Sequence, residues 1–245
     1  MGKSNRMHRL FRGDGKVFIV AMDHGAYSIM DGLENMDKTI NMVSEAGADA
    51  VMMEYRHRKN YVSEIAGRIA LVATTEYNEN SIMEVLKADA VAVKITHLGV
   101  VPPDDALKER IKHVALKCGE LGIPYMAEYL PMDSDGNPAF EPDIVRKAAR
   151  ILAELGADIV KTAYTGSRET FRRVVEACPV PIVIAGGPKI GDDESLIRMV
   201  RESIDSGAKG AAIGRNIWRH RAARQSHIKG VAHEDMGIKA LEIIK

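Results

Sequence analysis

The chain has 245 residues, 46% of them hydrophobic and 28% charged, which suits one globular domain with a sizeable core. Its 34 basic residues balance 34 acidic ones, so the overall charge does not favour nucleic acid or an anionic membrane as a partner. No stretch approaches the ~18 apolar residues of a membrane span, and residues 1–12 are polar and basic, so we expect a cytoplasmic protein that is not exported.

Short apolar runs alternate with longer segments of helical apolar spacing from Val17 onward. The predicted strands are Val17–Met22, Asp49–Met53, Ile69–Thr74, Asp89–Ile95, Pro124–Leu130, Asp158–Ala163, Pro181–Ala185 and Gly210–Ile213. Asp104–Leu121 is typical of the predicted helices between them. The alternation predicts an α/β fold, a single (β/α)8 TIM barrel over residues 1–245, with an open doubly wound sheet as the alternative.

The active site of such a barrel lies at the carboxyl ends of its strands, so the inward-facing residues there matter most. We assign these residues by alternation along each strand, in the phase that places Lys161 inside. The predicted inward residues are Ile19, Ala21 and Asp23 on strand one, Ala50, Met52 and Glu54 on strand two, Ala90, Ala92 and Lys94 on strand four, and Tyr125, Ala127 and Tyr129 on strand five. In most of these strands the inward side chains are small, and the last one carries a functional group. Small side chains leave room for a substrate.

Lys161 is a single lysine within the apolar strand six. Dehydration there favours the neutral amine, which is the form that attacks a carbonyl group. The alternative is a lysine that extends from a strand end to solvent without chemistry. Lys94 on strand four is a second candidate for the reactive amine. Because even-numbered strands contribute to the same interior layers, we expect the two lysines to face one another.

Three further side chains lie at or just after the ends of predicted strands and could act on a substrate. Asp23 and His24 could bond the backbone of their turn, or Asp23 could orient substrate hydroxyls while His24 contacts a polar substrate group. Tyr129 could be a core aromatic residue or the proton carrier that aldol cleavage requires. Glu54 and Tyr164 are weaker candidates of the same kind.

Two glycine-rich turns follow strands seven and eight, where this fold commonly binds phosphate. Glycines let backbone N–H groups approach an anion closely, and neighbouring cations add charge. The predicted phosphate-binding residues are Gly186, Gly187, Lys189, Gly214 and Arg215. The alternative is that both segments are only tight turns.

Four motifs resemble those of the archaeal-type class I fructose-bisphosphate aldolases (the DeoC/FbaB-type aldolases). The motifs are Met22–Gly25, Lys161–Gly166, Gly186–Lys189 and Gly210–Trp218. This family includes the 2-amino-3,7-dideoxy-D-threo-hept-6-ulosonate synthases and the thiolase that acts on phosphorylated autoinducer-2. The resemblance implies that Lys161 is the Schiff-base lysine, Asp23 an active-site acid and Tyr129 the proton carrier. It also implies phosphate contacts from Gly187, Lys189, Gly214 and Arg215.

The expected activity is that of a class I aldolase, which cleaves or forms a carbon–carbon bond in a phosphorylated ketose such as fructose 1,6-bisphosphate. The imine serves as the electron sink, so we expect no cofactor and no metal. One alternative is acyl transfer, thiolysis or a transaldol-type synthesis with the same lysine. Others are metal-dependent chemistry at His24, His57 and His97, or phosphosugar binding without catalysis. Relatives form homo-oligomers, and the amphipathic stretch Met236–Ile244 could serve an interface or cap the barrel.

Overall fold

Eight parallel strands form a closed sheet in the computed structural model, which describes residues 2–11, 13–26, 30–188, 190 and 192–219. The strands are β1 (Val17–Ala21), β2 (Ala50–Glu54), β3 (Ala70–Thr74), β4 (Ala92–Gly99), β5 (Tyr125–Pro131), β6 (Ile159–Ala163), β7 (Ile182–Ala185) and β8 (Gly210–Ile213). They pair in chain order, and β8 pairs with β1. This confirms the predicted barrel. That residues 1–245 form one domain stays a prediction, because residues 220–245 lie outside the described part.

A helix follows each strand, and one more helix precedes the barrel. The helices are α1 (Gly2–Leu10), α2 (Met36–Glu45), α3 (Val62–Ile65), α4 (Glu79–Lys87), α5 (Asp105–Glu120), α6 (Pro142–Glu154), α7 (Arg168–Ala177), α8 (Asp193–Asp205) and α9 (Arg215–Trp218). Side-chain caps fix several starts, as where Asp104 accepts a hydrogen bond from the backbone N–H of Leu107. None of the described helices combines the length and the apolar character needed to cross a bilayer.

Two layers of apolar side chains lie on opposite faces of the sheet. The larger one packs between the strands and the helices, whereas the smaller one fills the barrel. The barrel interior holds Ile19, Ala21, Ala50, Met52, Val72, Ala92, Met126, Ile159, Val183 and Ala212. Leu10 of α1 packs against this interior cluster, with Met7 and Phe11 beside it. The predicted inward faces of strands one, two and six are therefore confirmed.

The predicted orientation of strand five is wrong by one residue. Met126 faces the barrel interior, whereas Tyr125, Ala127 and Tyr129 belong to the outer layer. Strand five is buried on both faces, so its apolar pattern does not distinguish the two phases. The observed phase directs Glu128 inward. Likewise, Ala90 precedes β4 and packs in the outer layer.

Glycines allow the closest backbone contacts where the barrel closes. A Cβ atom on Gly210 would lie 2.0 Å from the carbonyl oxygen of Val17, and one on Gly214 would lie 2.6 Å from that of Ala21. The indole N–H of Trp218 donates a hydrogen bond of 2.9 Å to the same Ala21 oxygen. Strand β8 and helix α9 are therefore held against β1 by contacts that leave no room for larger residues.

We expect Gly210→Ala to lower the free energy of unfolding by at least about 2 kcal/mol, because the methyl group must displace the backbone of β1. Urea denaturation would measure the loss. Gly119→Ala is the matched control: Gly119 is exposed on α5 with no atom within 4 Å of an added Cβ. That change should raise stability by about 1 kcal/mol through helix propensity. Equal effects of the two substitutions would contradict the tight closure.

Candidate active site

Polar side chains from neighbouring strands meet inside the barrel at the carboxyl ends of the strands. The register pairs Thr74 with Lys94, Thr96 with Glu128, and Glu128 with Lys161 across adjacent strands. Asp23 joins them from the turn that follows β1. Because alternate residues of a strand point to the same face, this register gathers charged groups from four elements at one place.

The carboxylate of Glu128 bridges the two buried lysines. Oε1 lies 2.7 Å from Nζ of Lys161, and Oε2 lies 2.7 Å from Nζ of Lys94. The three side chains are between 5% and 8% exposed. The two lysines are therefore brought together as the sequence indicated, but through a carboxylate that was not predicted.

Lys94 is held as an ammonium group by three acceptors. Besides Glu128, it lies 2.6 Å from Oγ1 of Thr96 and 3.3 Å from Oδ2 of Asp23. Burial alone would lower the pKa of Lys94, but attraction to Glu128 and Asp23 outweighs burial and raises it. Lys94 is thus a fixed positive charge, which makes it a poor nucleophile.

Asp23 is the second carboxylate of the cluster. It accepts a hydrogen bond of 2.9 Å from the hydroxyl of Thr74. Burial would raise the pKa of Asp23, but Lys94, His24 and Lys161 together lower it well below its usual range. Asp23 is therefore ionised at neutral pH.

His24 lies at the edge of this cluster, with its side chain 32% exposed. Its Nδ1 is 3.4 Å from Oδ1 of Asp23, and this nitrogen is buried without a hydrogen-bond partner among the described residues. The imidazole packs edge-on against Trp218, with ring centroids 6.0 Å apart. His24 therefore stands beside the charged cluster with a polar atom still to be satisfied.

The two glycine turns lie together beside β6 and are joined by side chains of α9. The guanidinium of Arg215 donates to the carbonyl oxygen of Gly187 at 3.0 Å. Asn216 donates to the carbonyl oxygens of Gly186 and Pro188 at 2.9 and 3.1 Å. Its side-chain oxygen also accepts from the N–H of Ile190 at 2.7 Å. Asn216 thus holds the β7 turn from both sides, although the sequence placed it in the Gly210–Trp218 motif without assigning it a role.

Lys189 lies outside the described residues, so its predicted phosphate contact stays a prediction. Gly187 has a positive φ of 64°, with nothing within 4 Å of an added Cβ. The backbone of this turn is therefore open on one side. A small anion can approach it closely, which is why glycine suits the position.

Tyr129 does not lie with the lysines. Its ring packs in the outer layer, and its hydroxyl donates to the carbonyl oxygen of Val100 at 2.7 Å. The weaker candidates also have partners elsewhere: Tyr164 hydrogen-bonds to Glu202 of α8, and Glu54 pairs with Arg56. Tyr129 and Tyr164 therefore form their hydrogen bonds away from Lys161, whereas Glu54 lies opposite Thr74 in the strand register, at the carboxyl end of β2.

A cavity of about 620 Å³ opens next to the cluster, over the carboxyl ends of the early strands. Its lining includes Asp23, Thr74 and Thr96, together with Glu54 and Arg56. This volume lies in the range of small-molecule sites. A small molecule in this cavity can thus contact Asp23, whereas Lys94, Glu128 and Lys161 lie behind its lining.

The histidines considered as metal ligands lie in different surroundings. His97 faces outward from β4 and lies 2.5 Å from the hydroxyl of Tyr125. Burial, with smaller effects from Arg110 and Lys94, lowers the pKa of His97 to about 4. His57 is exposed after β2. Among the described residues, no three His, Cys, Asp or Glu side chains are grouped as metal ligands.

A closed (β/α)8 barrel with a buried lysine and an adjacent carboxylate at the carboxyl end of its strands is the arrangement of an enzyme that acts on carbonyl compounds through an amine. Residues 17–220 match the DeoC/LacD family aldolases. The chain belongs to this family, which makes it a lyase of the Schiff-base class. The family resemblance proposed from the sequence is confirmed.

Known relatives span nearly the whole chain. An uncharacterised aldolase of Saccharolobus solfataricus is 30% identical over 273 aligned positions, covering 100% of both chains. The 2-amino-3,7-dideoxy-D-threo-hept-6-ulosonate synthase of Halobacterium salinarum is 31% identical over 251 positions, covering 96% of this chain and 92% of its own. A solved Schiff-base-forming fructose-1,6-bisphosphate aldolase is 26% identical with a TM-score of 0.81, covering 99% of this chain and 100% of that one.

Because Asp23, Glu128, Lys94 and Lys161 sum to zero charge, removing one of them should cost more than removing an opposite pair. We expect Glu128→Gln to lower the free energy of unfolding by about 3 kcal/mol, since it leaves a buried lysine uncompensated. The double variant Glu128→Gln/Lys161→Met restores the balance, so its loss should be smaller than the sum of the two single losses. Urea denaturation of all four proteins at pH 7 gives this coupling energy. Additive losses would show that the two side chains do not interact.

Proposed function

We propose that the protein cleaves or forms a carbon–carbon bond in a phosphorylated ketose through an imine on Lys161. The observation that carries this proposal is the contact between Nζ of Lys161 and the Glu128 carboxylate, inside the barrel and at its carboxyl end. An amine at this place needs a neighbouring group that accepts and returns protons, and Glu128 is in hydrogen-bond contact with it. Fructose 1,6-bisphosphate or a related phosphoketose is the leading substrate.

Imine formation begins when the lysine gives a proton to Glu128 and its nitrogen attacks the ketone carbon. The new C–N bond forms while one proton passes from the nitrogen to the carbonyl oxygen, which yields a neutral carbinolamine. Glu128 then returns a proton to the departing hydroxyl, and water leaves to form the protonated imine. Both proton transfers occur at Oε1 of Glu128, 2.7 Å from the nitrogen.

Cleavage of the carbon–carbon bond then starts from the protonated imine. A base removes the proton from the hydroxyl on the far carbon of the bond that breaks. That carbon leaves as the aldehyde, and the electron pair of the broken bond moves into the imine to form an enamine. The enamine is then protonated at carbon, and water releases the product ketone from Lys161. Asp23, which is ionised and turned toward the same space, is placed to orient the substrate hydroxyls.

The pKa of Glu128 suits this sequence of proton transfers. Burial would raise it, but attraction to Lys161 and then Lys94 lowers it to about 2. When Lys161 loses its ammonium charge to form the carbinolamine, the larger of these attractions is removed. The pKa of Glu128 then rises, which favours the carboxyl group holding the proton that it received from Lys161. Glu128 takes the role that the sequence had given to Tyr129.

The phosphate group is expected at the turns after β7 and β8. Open backbone at Gly187, the nearby guanidinium of Arg215 and the glycine Gly214 provide donors and charge there. Lys189 is the predicted fourth contact. Strand β7 pairs with β6 opposite Lys161 itself, so a ketose whose phosphate lies in these turns has its carbonyl group near the amine.

A second candidate is a transaldol-type synthesis with the same lysine. It is favoured by the relative from Halobacterium salinarum, which is named as a synthase of 2-amino-3,7-dideoxy-D-threo-hept-6-ulosonate. Acyl transfer from the same imine-forming site stays a further alternative. Assembly into a homo-oligomer also stays a prediction, and the stretch Met236–Ile244 lies outside the described residues.

Borohydride reduction in the presence of fructose 1,6-bisphosphate should leave a covalent adduct on Lys161, because the reduced imine no longer hydrolyses. Intact-mass analysis and peptide mapping identify the adduct and the lysine. Lys161→Met should show no adduct. An adduct on Lys94 in the unchanged protein, or one that persists in Lys161→Met, would assign the chemistry to another amine. If other phosphoketoses form an adduct on Lys161 and fructose 1,6-bisphosphate does not, Lys161 remains the imine-forming residue and only the proposed substrate is wrong.

Glu128→Gln should lower turnover by about 10²–10⁴-fold, because the amide cannot carry the proton. Tyr129→Phe should retain nearly all activity, since the hydroxyl contacts only the Val100 carbonyl in the outer layer. Both variants are assayed with the phosphoketose that gives the adduct, at a temperature where circular dichroism shows each to be folded. A large loss of turnover in Tyr129→Phe, together with nearly full turnover in Glu128→Gln, would show that Tyr129 is the proton carrier.

A further inference from the structure

A second cavity, of about 780 Å³, lies outside the barrel at the amino ends of β3 and β4. Its wall consists of the connection from β2 to β3, the last turn of α4 and the second half of α1. It shares no lining residue with the cavity at the carboxyl ends of the strands. The two cavities therefore belong to opposite ends of the strands.

The short helix α3 explains why this cavity exists. It has four residues, whereas α2 and α4 to α8 have 9 to 16. A helix of normal length would cover the start of β3 from the outside. Here Val62 of α3 stays 58% exposed, and Ile69 and Leu71 form the floor of the open space.

The cavity is strongly basic in a chain whose net charge is zero. Its lining includes the cations Arg9, Arg58, Lys59, Arg68 and Lys87 and a single acid, Asp89. Arg9 pairs with Asp89, and Lys87 pairs with Glu84. Two of the five cations are thus neutralised within the protein.

Three cations remain without an ion pair to a carboxylate of the described residues: Arg58, Lys59 and Arg68. Arg58 donates to the carbonyl oxygens of Tyr55 and Glu84 at 3.3 and 3.4 Å, and Arg68 donates to the side-chain oxygen of Asn41 at 2.6 Å. These bonds hold the guanidinium groups in place but supply no formal charge. Positive charge is thus concentrated on one wall of the cavity.

We propose that this cavity binds a small molecule with a di- or triphosphate group. A single phosphate group brings a charge of about −1.5 to −2, which would leave part of the three uncompensated cations unsatisfied. The charge of a di- or triphosphate group matches that of the three cations. Each guanidinium group can also donate two parallel hydrogen bonds to the oxygens of a phosphate group. The volume of about 780 Å³ is that of a small-molecule site, and the apolar floor suits an organic group next to the phosphates. This site does not depend on the proposed reaction.

Calorimetric titration of the full chain with inorganic tripolyphosphate, in metal-free buffer at low salt, tests the proposal. The double variant Lys59→Glu/Arg68→Glu should bind at least about tenfold more weakly, since it reverses two charges of the cavity. It leaves Arg58 and its bonds to the backbone unchanged. The control Lys147→Glu/Arg172→Glu reverses two exposed cations on α6 and α7, which line neither cavity, and should bind as the unchanged protein does.

A phosphate site in the catalytic cavity would give a different pattern. Lys161→Met and Arg215→Ala should retain tripolyphosphate binding if the ligand occupies the basic cavity. Loss of binding in Arg215→Ala, unchanged affinity in Lys59→Glu/Arg68→Glu, equal losses in the two double variants, or no heat from the unchanged protein would each overturn the proposal. None of these outcomes bears on the imine, which the borohydride experiment tests separately.

Discussion

The carboxylate of Glu128 is the group on which the catalytic end of the barrel depends, because it separates and neutralises two lysines buried inside the sheet. Two ammonium groups inside a barrel would otherwise repel one another and lose their hydration. With Asp23 the four charges cancel. The cluster can therefore be buried at a tolerable cost, and its members can still exchange a proton when a substrate alters one charge.

The barrel supplies this cluster through strand register and not through loops. Thr96, Glu128 and Lys161 are direct neighbours across β4, β5 and β6, so their spacing is fixed by backbone hydrogen bonds. Groups positioned in this way need little reorganisation during a reaction. The phosphate end is less rigid in principle, because it consists of turns, and the side chain of Asn216 compensates by bonding to both sides of the β7 turn.

The sequence predicted the strands, the barrel and the position of Lys161 because each has a local signal, either alternation or one charge in an apolar run. Glu128 has the same signal as Lys161. It was missed because strand five is buried on both faces, so that the neighbouring Tyr129 seemed equally able to face inward. The pairing of Glu128 with Lys161 spans 33 residues of sequence and depends on the register between β5 and β6. The bonds of Asn216 to the β7 turn are equally non-local.

Positive side chains at the two ends of the strands differ in whether the protein itself neutralises them, and this difference bears on how each end could bind an anion. At the carboxyl end, Lys94 and Lys161 are compensated by carboxylates inside the protein, so an anionic substrate gains little from their charge. The phosphate contacts that we propose are instead the open backbone at Gly187 and the guanidinium of Arg215. At the amino end, Arg58, Lys59 and Arg68 line an open cavity without ion pairs among the described residues, so their charge is available to a ligand. The two anion sites that we propose thus rest on different interactions within a chain of zero net charge.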